Sequence, residues 1–204
     1  ANWFAARIMR PLFPEINHEL SDLMSYYSPA YSEDRTYGSN AIQRPLDNLQ
    51  DAGLIYCNII YDKAPVVMDK LAEKLGPEKF REGIREYLTR FGYSNATWDD
   101  LVSILDGLSD DDITGWSDVW VKEAGMPEYS GTVSGGKAQV IQEDPSGQGR
   151  VWEQDLQDEI AGGRYWIPNV DGKGYGTETV MPKYTPTMGP GKWPYPLTSS
   201  FGSS

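Results

Sequence analysis

Hydrophobic residues recur at helical spacing between residues 59 and 75, and this stretch is the clearest pattern in the chain. Its apolar positions are Ile60, Ala64, Val67, Met68, Leu71 and Leu75. Residues three, four and seven apart share one face of a helix, so the spacing predicts an amphipathic helix that buries one stripe. The same spacing leaves four charged residues to water, namely Asp69, Lys70, Glu73 and Lys74. Because Pro65 suits a first helical turn better than a helix interior, we expect helix over residues 46–75 in two pieces that meet near Tyr61.

Helix start and stop signals divide the rest of the first 125 residues. Gly76 and Gly92 bracket one helix. Thr97 is followed three residues later by Asp100, which forms a near capping box at the start of the next helix. Three acids at residues 110–112 precede the last helix, where negative charge is favourable. The other predicted segments are helices over 1–12 and 17–27 and a long polar loop over 28–45.

The helical period ends near residue 126, and short alternating runs follow it. These runs predict antiparallel strands over Tyr129–Ser134, Lys137–Glu143 and Val151–Gln157, with a Gly135-Gly136 turn between the first two. The sequence therefore predicts an α+β fold with a bundle-like helical part. We expect three regions: a helical domain over 1–125, an antiparallel β region over 126–170 and an irregular tail rich in Gly, Pro and Ser over 171–204.

Composition excludes several classes of function. The 204 residues carry a net charge of −12, and the 18 basic residues are scattered, so a nucleic-acid partner is not expected. No run of 18 apolar residues occurs, so we predict no membrane span. The single cysteine, Cys57, excludes an internal disulfide and is predicted to be a buried, unreactive thiol, because the only histidine, His18, is far away in sequence.

The chain lacks a recognisable metal site. A zinc hydrolase needs two histidines one helical turn apart, with a glutamate that activates water. His18-Glu19 begins such a motif, but Asp22 stands where the second histidine is required. The acids at 110–112 are explained by a helix start without a bound calcium ion. We therefore expect no metal ligands in this chain.

Two tyrosines are the remaining candidates for chemistry. Tyr61 lies at the start of the central amphipathic helix, and Tyr56 precedes it by five residues. A tyrosine hydroxyl is neutral at pH 7 and can donate a hydrogen bond to an oxyanion as it forms. The alternative is that both side chains only pack and cap, which is the commoner role for tyrosine at such a place.

The segment from Tyr61 to Met68, Tyr-Asp-Lys-Ala-Pro-Val-Val-Met, followed by Phe80–Tyr87, resembles the Tyr-x-Lys-Gly-Ala segment and next helix of the aminopeptidase N family of zinc metallopeptidases, the gluzincins. Lys63-Ala64-Pro65 departs from the commoner Lys-Gly-Ala. Further segments resemble the end of that family's catalytic domain and the first strands of its β-sandwich: Trp98–Leu101, Trp116–Trp120, Ala124–Pro127, Val140–Glu143 and Val151–Gln154.

This resemblance implies a role for Tyr61 in stabilising a tetrahedral intermediate, with Tyr56 as a second, looser match. It also implies that Ala1–Ala5 follows the third zinc ligand, so that the zinc motif belongs to a parent chain upstream. We expect the parent protein to be a zinc aminopeptidase that acts on peptides, and this chain alone to be inactive. A non-catalytic helical interaction module is the alternative.

Overall fold

The computed structural model describes residues 1–46, 48, 50, 53, 57–162 and 165–178. Its α-helices in chain order are α1 (Asn2–Leu12), α2 (His18–Asp22), α3 (Ser28–Asp34), α4 (Ala64–Phe91), α5 (Trp98–Gly107) and α6 (Ile113–Ser117). Its strands are β1 (Glu128–Ser134), β2 (Lys137–Glu143), β3 (Glu159–Ala161), β4 (Tyr165–Ile167) and β5 (Thr177–Glu178). Helices thus precede small sheets, and the predicted α+β fold class is confirmed.

Single π-helical turns, in which the backbone holds one extra residue per turn, interrupt or extend these helices. Those in the described residues span Leu23–Tyr27, Ile59–Lys63 and Asp118–Lys122. The first joins α2 to α3, so the chain is helical without a break from residue 18 to 34. The predicted loop over 28–45 is therefore wrong in its first part. Pro29 is the second residue of α3, which directly follows the π-turn Leu23–Tyr27.

Local helix signals are confirmed where the sequence contains them. Gly76 has φ +75° and ψ 160°, so α4 is two helices that meet there, as the Gly76-Pro77 pair predicts. Thr97 and Asp100 form the complete capping box of α5. Helices α4 and α5 pack closely. A side-chain carbon on Gly83 of α4 would collide with a terminal carbon of Leu105 in α5.

The core lies between the helices and includes side chains from the β region. Buried helical members include Leu71 of α4, Leu105 of α5 and Trp120 of the last π-turn. Trp152 and Tyr175 join the same cluster, at 1% and 0% exposure. Burial of one large aromatic side chain stabilises a fold by roughly 3 kcal/mol, so the β region contributes directly to the stability of the helical part.

The sheets differ from the prediction beyond the first hairpin. Strands β1 and β2 pair antiparallel around the Gly135-Gly136 turn, as expected, and β5 adds to β1 in parallel. Strands β3 and β4 form a separate antiparallel pair. The strand predicted over Val151–Gln157 is wrong, since residues 151–158 have no regular structure.

Side-chain amides explain how this stretch remains ordered without a strand. Gln142 accepts a hydrogen bond from the Trp152 N–H at 2.7 Å and donates one to the Trp152 carbonyl at 3.0 Å. Gln154 makes the same pair of bonds to the backbone of Tyr175, at 2.8 and 2.6 Å. Gln142 thus supplies to Trp152 the backbone partners that a strand would give, and Gln154 ties the stretch to Tyr175.

Most of the predicted tail, residues 179–204, lies outside the described residues, and residues 171–178 contain β5 and the buried Tyr175. None of the helices in the described part of the chain combines the length and apolarity that crossing a bilayer requires.

The loop after β2 is held to the helical region by a nearly buried ion pair. Arg150 donates to both oxygens of Asp144, at 2.9 and 3.0 Å, and to the carbonyl of Ala124 at 2.8 Å. The Asp144 side chain is 2% exposed and also accepts from the N–H groups of Ser146 and Gln148. The Arg150 side chain, ahead of the other donors, holds the pKa of Asp144 well below its usual range.

We predict that Asp144→Asn lowers the free energy of unfolding at pH 7 by about 2–4 kcal/mol, because it removes the carboxylate that accepts two hydrogen bonds from the nearly buried Arg150 guanidinium. The folded-state pKa lies below the unfolded one, so the stabilisation is complete above the unfolded pKa and is lost as pH falls through the folded pKa. The difference in the free energy of unfolding between wild type and Asp144→Asn, measured by urea unfolding, should therefore narrow below about pH 4.

Glu143→Gln is the matched control, because Glu143 is an exposed acid next to Asp144. A gap that does not change with pH, or an equal loss in Glu143→Gln, would contradict the assignment of this stability to the Asp144–Arg150 pair.

Candidate functional site

Tyr61 lies in the middle of the π-turn Ile59–Lys63. The N–H of Ala64 donates to the carbonyl of Ile59, the five-residue bond that defines such a turn. Both ends of the turn are fully buried, at 0% exposure for Ile59 and Lys63, whereas Tyr61 is 44% exposed. The turn is thus anchored in the core at each end and presents its middle residue at the surface. Of the helix predicted over 46–75, the structure is helical from residue 58 onward, and most of the first predicted piece lies outside the described residues.

Helix α1 lies beside the same turn. Asn2 donates from its amide to the carbonyl of Tyr61 at 3.4 Å. Two turns further along the chain, Asp69 of α4 accepts from the Trp3 indole N–H and from Arg7, each at 2.5 Å. Asp69 was predicted to face water, and its side chain instead joins α1 to α4. The structure therefore brings the first residues of the chain next to Tyr61, although 59 positions separate Asn2 from it.

Lys63, the last residue of the π-turn, is a buried cation. Its ammonium lies 2.6 Å from Asp34 Oδ2 and donates to the Gly125 carbonyl at 2.8 Å. It also lies 5.6 Å from the centre of the Tyr175 ring, within range of a cation–π interaction. The side chains of Lys63 and Asp34 are both at 0% exposure. This ion pair is therefore fully withdrawn from water.

The carboxylate of Asp34 has two further donors. The Ser39 hydroxyl donates to Oδ1 at 2.5 Å, and the Tyr175 hydroxyl donates to Oδ2 at 3.0 Å. The Tyr175 ring stacks on Tyr31, with ring centres 4.8 Å apart. Both oxygens of Asp34 thus have partners, which is the condition under which a buried carboxylate is tolerated. We refer to Lys63, Asp34, Ser39, Tyr175 and the Gly125 carbonyl as the Lys63 cluster.

Burial dominates the electrostatics of this region. It lowers the pKa of Lys63, against the opposing effect of Asp34, which favours the charged form. It raises the pKa of Tyr175, and the negative charge of Asp34 acts in the same direction. Near Tyr61, burial raises the pKa of Tyr26, and the charges of Asp22, Asp62 and Asp69 add to this effect. Tyr26 and Tyr175 therefore remain neutral phenols at pH 7.

Several predictions for this region meet a different outcome. The prediction that Lys70 faces water is wrong, since Lys70 is 4% exposed and pairs with Glu73 at 3.3 Å. Cys57 is half-buried, not fully buried. Tyr56 lies outside the described residues. His18 is the first residue of α2, and its ring lies 2.7 Å from the Phe13 carbonyl.

Lys63 and Asp34 were not identified from the sequence. A usable signal existed for Lys63, because it follows Ile59 by four residues and precedes Val66 by three, which are core-facing spacings. Asp34 had none, since it lies in a segment predicted as a polar loop. Their association depends on tertiary packing over 29 positions, which no local pattern contains.

Among the described residues, no group of three or more His, Cys, Asp or Glu side chains could hold a metal ion. The acids at 110–112 illustrate this, because Asp112 caps α6 by accepting from the Gly115 N–H at 2.6 Å. The described residues therefore do not fit a zinc site. What they do provide is an exposed phenol on a turn with buried ends, an arrangement that can present a hydrogen-bond donor in a fixed direction.

Comparison with known proteins identifies the family of this chain. The model of the Peptidase family M1 domain matches residues 1–120. The chain is 26% identical over 157 residues to Aminopeptidase M1-B of Oryza sativa subsp. japonica, which covers 74% of this chain and 18% of that protein. It is also 26% identical over 153 residues to Aminopeptidase N of Lactococcus lactis subsp. lactis, covering 69% of this chain and 18% of that protein.

A third relative, the mitochondrial Aminopeptidase 2 of Saccharomyces cerevisiae, is 26% identical over 129 residues, which covers 63% of this chain and 13% of that protein. The chain thus spans less than a fifth of the length of these curated relatives. Since the family match covers 120 of its 204 residues, this chain belongs to peptidase family M1, the family of aminopeptidase N.

Proposed function

We propose that this chain acts as part of a zinc-dependent aminopeptidase, in which Tyr61 stabilises the tetrahedral intermediate of peptide hydrolysis. The observation that carries the proposal is the position of Tyr61, which is exposed in the middle of a turn whose two ends are buried. The family match over residues 1–120 includes this turn. The similar proteins are named as aminopeptidases, which supports the same class of reaction.

The chemistry needs a neutral donor that is already oriented. When water adds to the carbonyl carbon of a peptide, negative charge develops on the former carbonyl oxygen. A phenol aimed at that oxygen forms a stronger hydrogen bond as the charge develops, and this lowers the barrier. The phenol is not consumed in the reaction. Removal of one such donor typically costs about 3–4 kcal/mol, which corresponds to a factor of roughly 100–1,000 in turnover.

The zinc of the proposed enzyme is assigned to residues outside the described part of this chain, because that part does not fit a metal site. Helix α1 supports this assignment. The resemblance places Ala1–Ala5 just after the family's third ligand, and Asn2 contacts the Tyr61 backbone. A ligand that precedes α1 would therefore lie on the same side of the molecule as Tyr61. Tyr56 remains a second candidate donor.

We predict that Tyr61→Phe lowers kcat of the full-length parent protein about a hundredfold or more on aminoacyl amides, with little change in KM. The phenylalanine keeps the ring and removes only the hydrogen-bond donor. Tyr87→Phe is the matched control, because Tyr87 is a half-buried tyrosine on α4 away from the turn. An inactive parent protein, or a Tyr61→Phe variant as fast as wild type, would favour the alternative of a helical interaction module.

We also predict that the 204-residue chain by itself neither binds zinc tightly nor hydrolyses aminoacyl amides. A tight zinc site needs several histidine, cysteine or carboxylate ligands around one ion, and the chain has a single histidine and a single cysteine. Metal analysis after dialysis against zinc, together with an activity assay, tests this. One tightly bound zinc per chain would contradict the assignment of the metal to another part of the parent protein.

A further inference from the structure

The π-turn that carries Tyr61 is an unfavourable local structure that needs tertiary support. An α-helical turn has better hydrogen-bond geometry, so π-turns persist where surrounding contacts determine them, often at functional sites. If the extra residue were absorbed and the turn became α-helical, residues on one side would rotate by about 100° relative to the other. Tyr61 would then point in another direction. Whatever holds Lys63 in place therefore also fixes the phenol.

The polar contacts of Lys63 come from the ends of two other helical runs. Asp34 ends the run that contains the π-turn Leu23–Tyr27, and it lies 2.6 Å from the Lys63 ammonium. Gly125 follows the π-turn Asp118–Lys122, and its carbonyl accepts at 2.8 Å. Both contacts are short, so each of them fixes the position of the ammonium. Asp34 is itself held in place by hydrogen bonds from Ser39 and Tyr175. Buried apolar neighbours such as Ile59 impose no such point constraint.

We propose that Lys63 is the positioning residue of Tyr61. Its ammonium, bound between Asp34 and the Gly125 carbonyl, holds the end of the π-turn and so sets the direction in which the Tyr61 hydroxyl points. The proposal rests on the proposed function of Tyr61, and it assigns to the Lys63 cluster a role in catalysis that acts only through that hydroxyl.

Lys70 provides a matched control on the same helix. It is also a buried lysine, at 4% exposure, and its carboxylate partner, Glu73, has a side chain that is 47% exposed. Lys70→Met therefore removes a buried ammonium of the same kind, two turns beyond Lys63 and outside the Lys63 cluster. A general effect of losing a buried lysine would appear in both variants, whereas an effect on Tyr61 would appear only in Lys63→Met.

The test is a double-mutant cycle in the full-length parent protein. We expect Lys63→Met to lower kcat about tenfold or more with KM within threefold, because a small misplacement of a catalytic group has effects of this size. In the Tyr61→Phe background, Lys63→Met should cause no further loss, since it acts through the missing hydroxyl. Additive losses, a change in KM alone, or an equal loss of kcat in Lys70→Met would overturn the proposal.

A second readout does not depend on activity. With 3-fluorotyrosine at position 61 alone, the wild-type protein should give one narrow fluorine resonance. Lys63→Met should broaden this resonance or split it into several lines, and Lys70→Met should leave it unchanged. A single narrow line in Lys63→Met would overturn the proposal. If the parent protein or Tyr61→Phe contradicts the proposed aminopeptidase function, this spectrum alone decides whether Lys63 positions Tyr61.

Should Lys63→Met fail to fold, Tyr175→Phe replaces it. This change removes one hydrogen bond to Asp34 and leaves the ion pair and the aromatic packing in place. We expect a smaller loss of kcat, roughly threefold to tenfold, again absent in the Tyr61→Phe background and accompanied by a broader fluorine line. Wild-type kcat together with an unchanged line would overturn the proposal.

Discussion

The ammonium of Lys63 lies out of contact with water, so the fold must supply its hydrogen-bond acceptors. An unpaired charge in such a place costs several kcal/mol, and paired burial is tolerated only when the remaining polar atoms are satisfied as well. The partners here are Asp34 and the Gly125 carbonyl, which are 91 positions apart in the chain. The helical run that ends at Asp34, the turn that precedes α4 and the segment after the last helical run must therefore meet at one point.

Stability alone does not explain why a protein would keep this pair. Replacing a buried ion pair with apolar side chains of similar volume is often neutral or stabilising. An apolar contact, however, tolerates a slip of one residue along a helix, whereas a 2.6 Å ion pair does not. In a helix that contains a π-turn, a slip of one residue is the particular error that must be avoided, because the turn differs from an α-turn by one residue. We infer that the pair contributes register, and that the register serves the exposed Tyr61.

The parts of the fold that the sequence predicted are those decided by neighbours a few positions away. The Thr97–Asp100 box, the break at Gly76 and the Gly135-Gly136 hairpin each depend on backbone geometry within four residues. The failures have non-local causes. The buried face of α4 includes Val66 and Lys70 as well as Val67 and Leu71, so tertiary contacts cover a wider face than the apolar stripe that the spacing defines.

The same distinction explains the β region. Val151–Gln157 alternates like a strand, yet its backbone bonds go to the Gln142 side chain, the Trp116 indole and the Val170 N–H, which the alternation of polar residues does not reveal. The candidate site shows the same division between local and non-local information. Tyr61 was found because the sequence around it resembles a family motif. The residues that hold its turn, above all Asp34, are recognisable only after the chain has folded.

The β region also changes how the site is understood. Tyr175 donates to Asp34 across 141 positions, and Gln154 fixes the Tyr175 backbone through two hydrogen bonds. Without these contacts, one lone pair of the buried Asp34 would lack a donor, in a place that water does not reach. The segment that follows the helices is thus a structural part of the Lys63 cluster. Since the family match covers residues 1–120, the support for the turn that bears Tyr61 includes residues beyond that match.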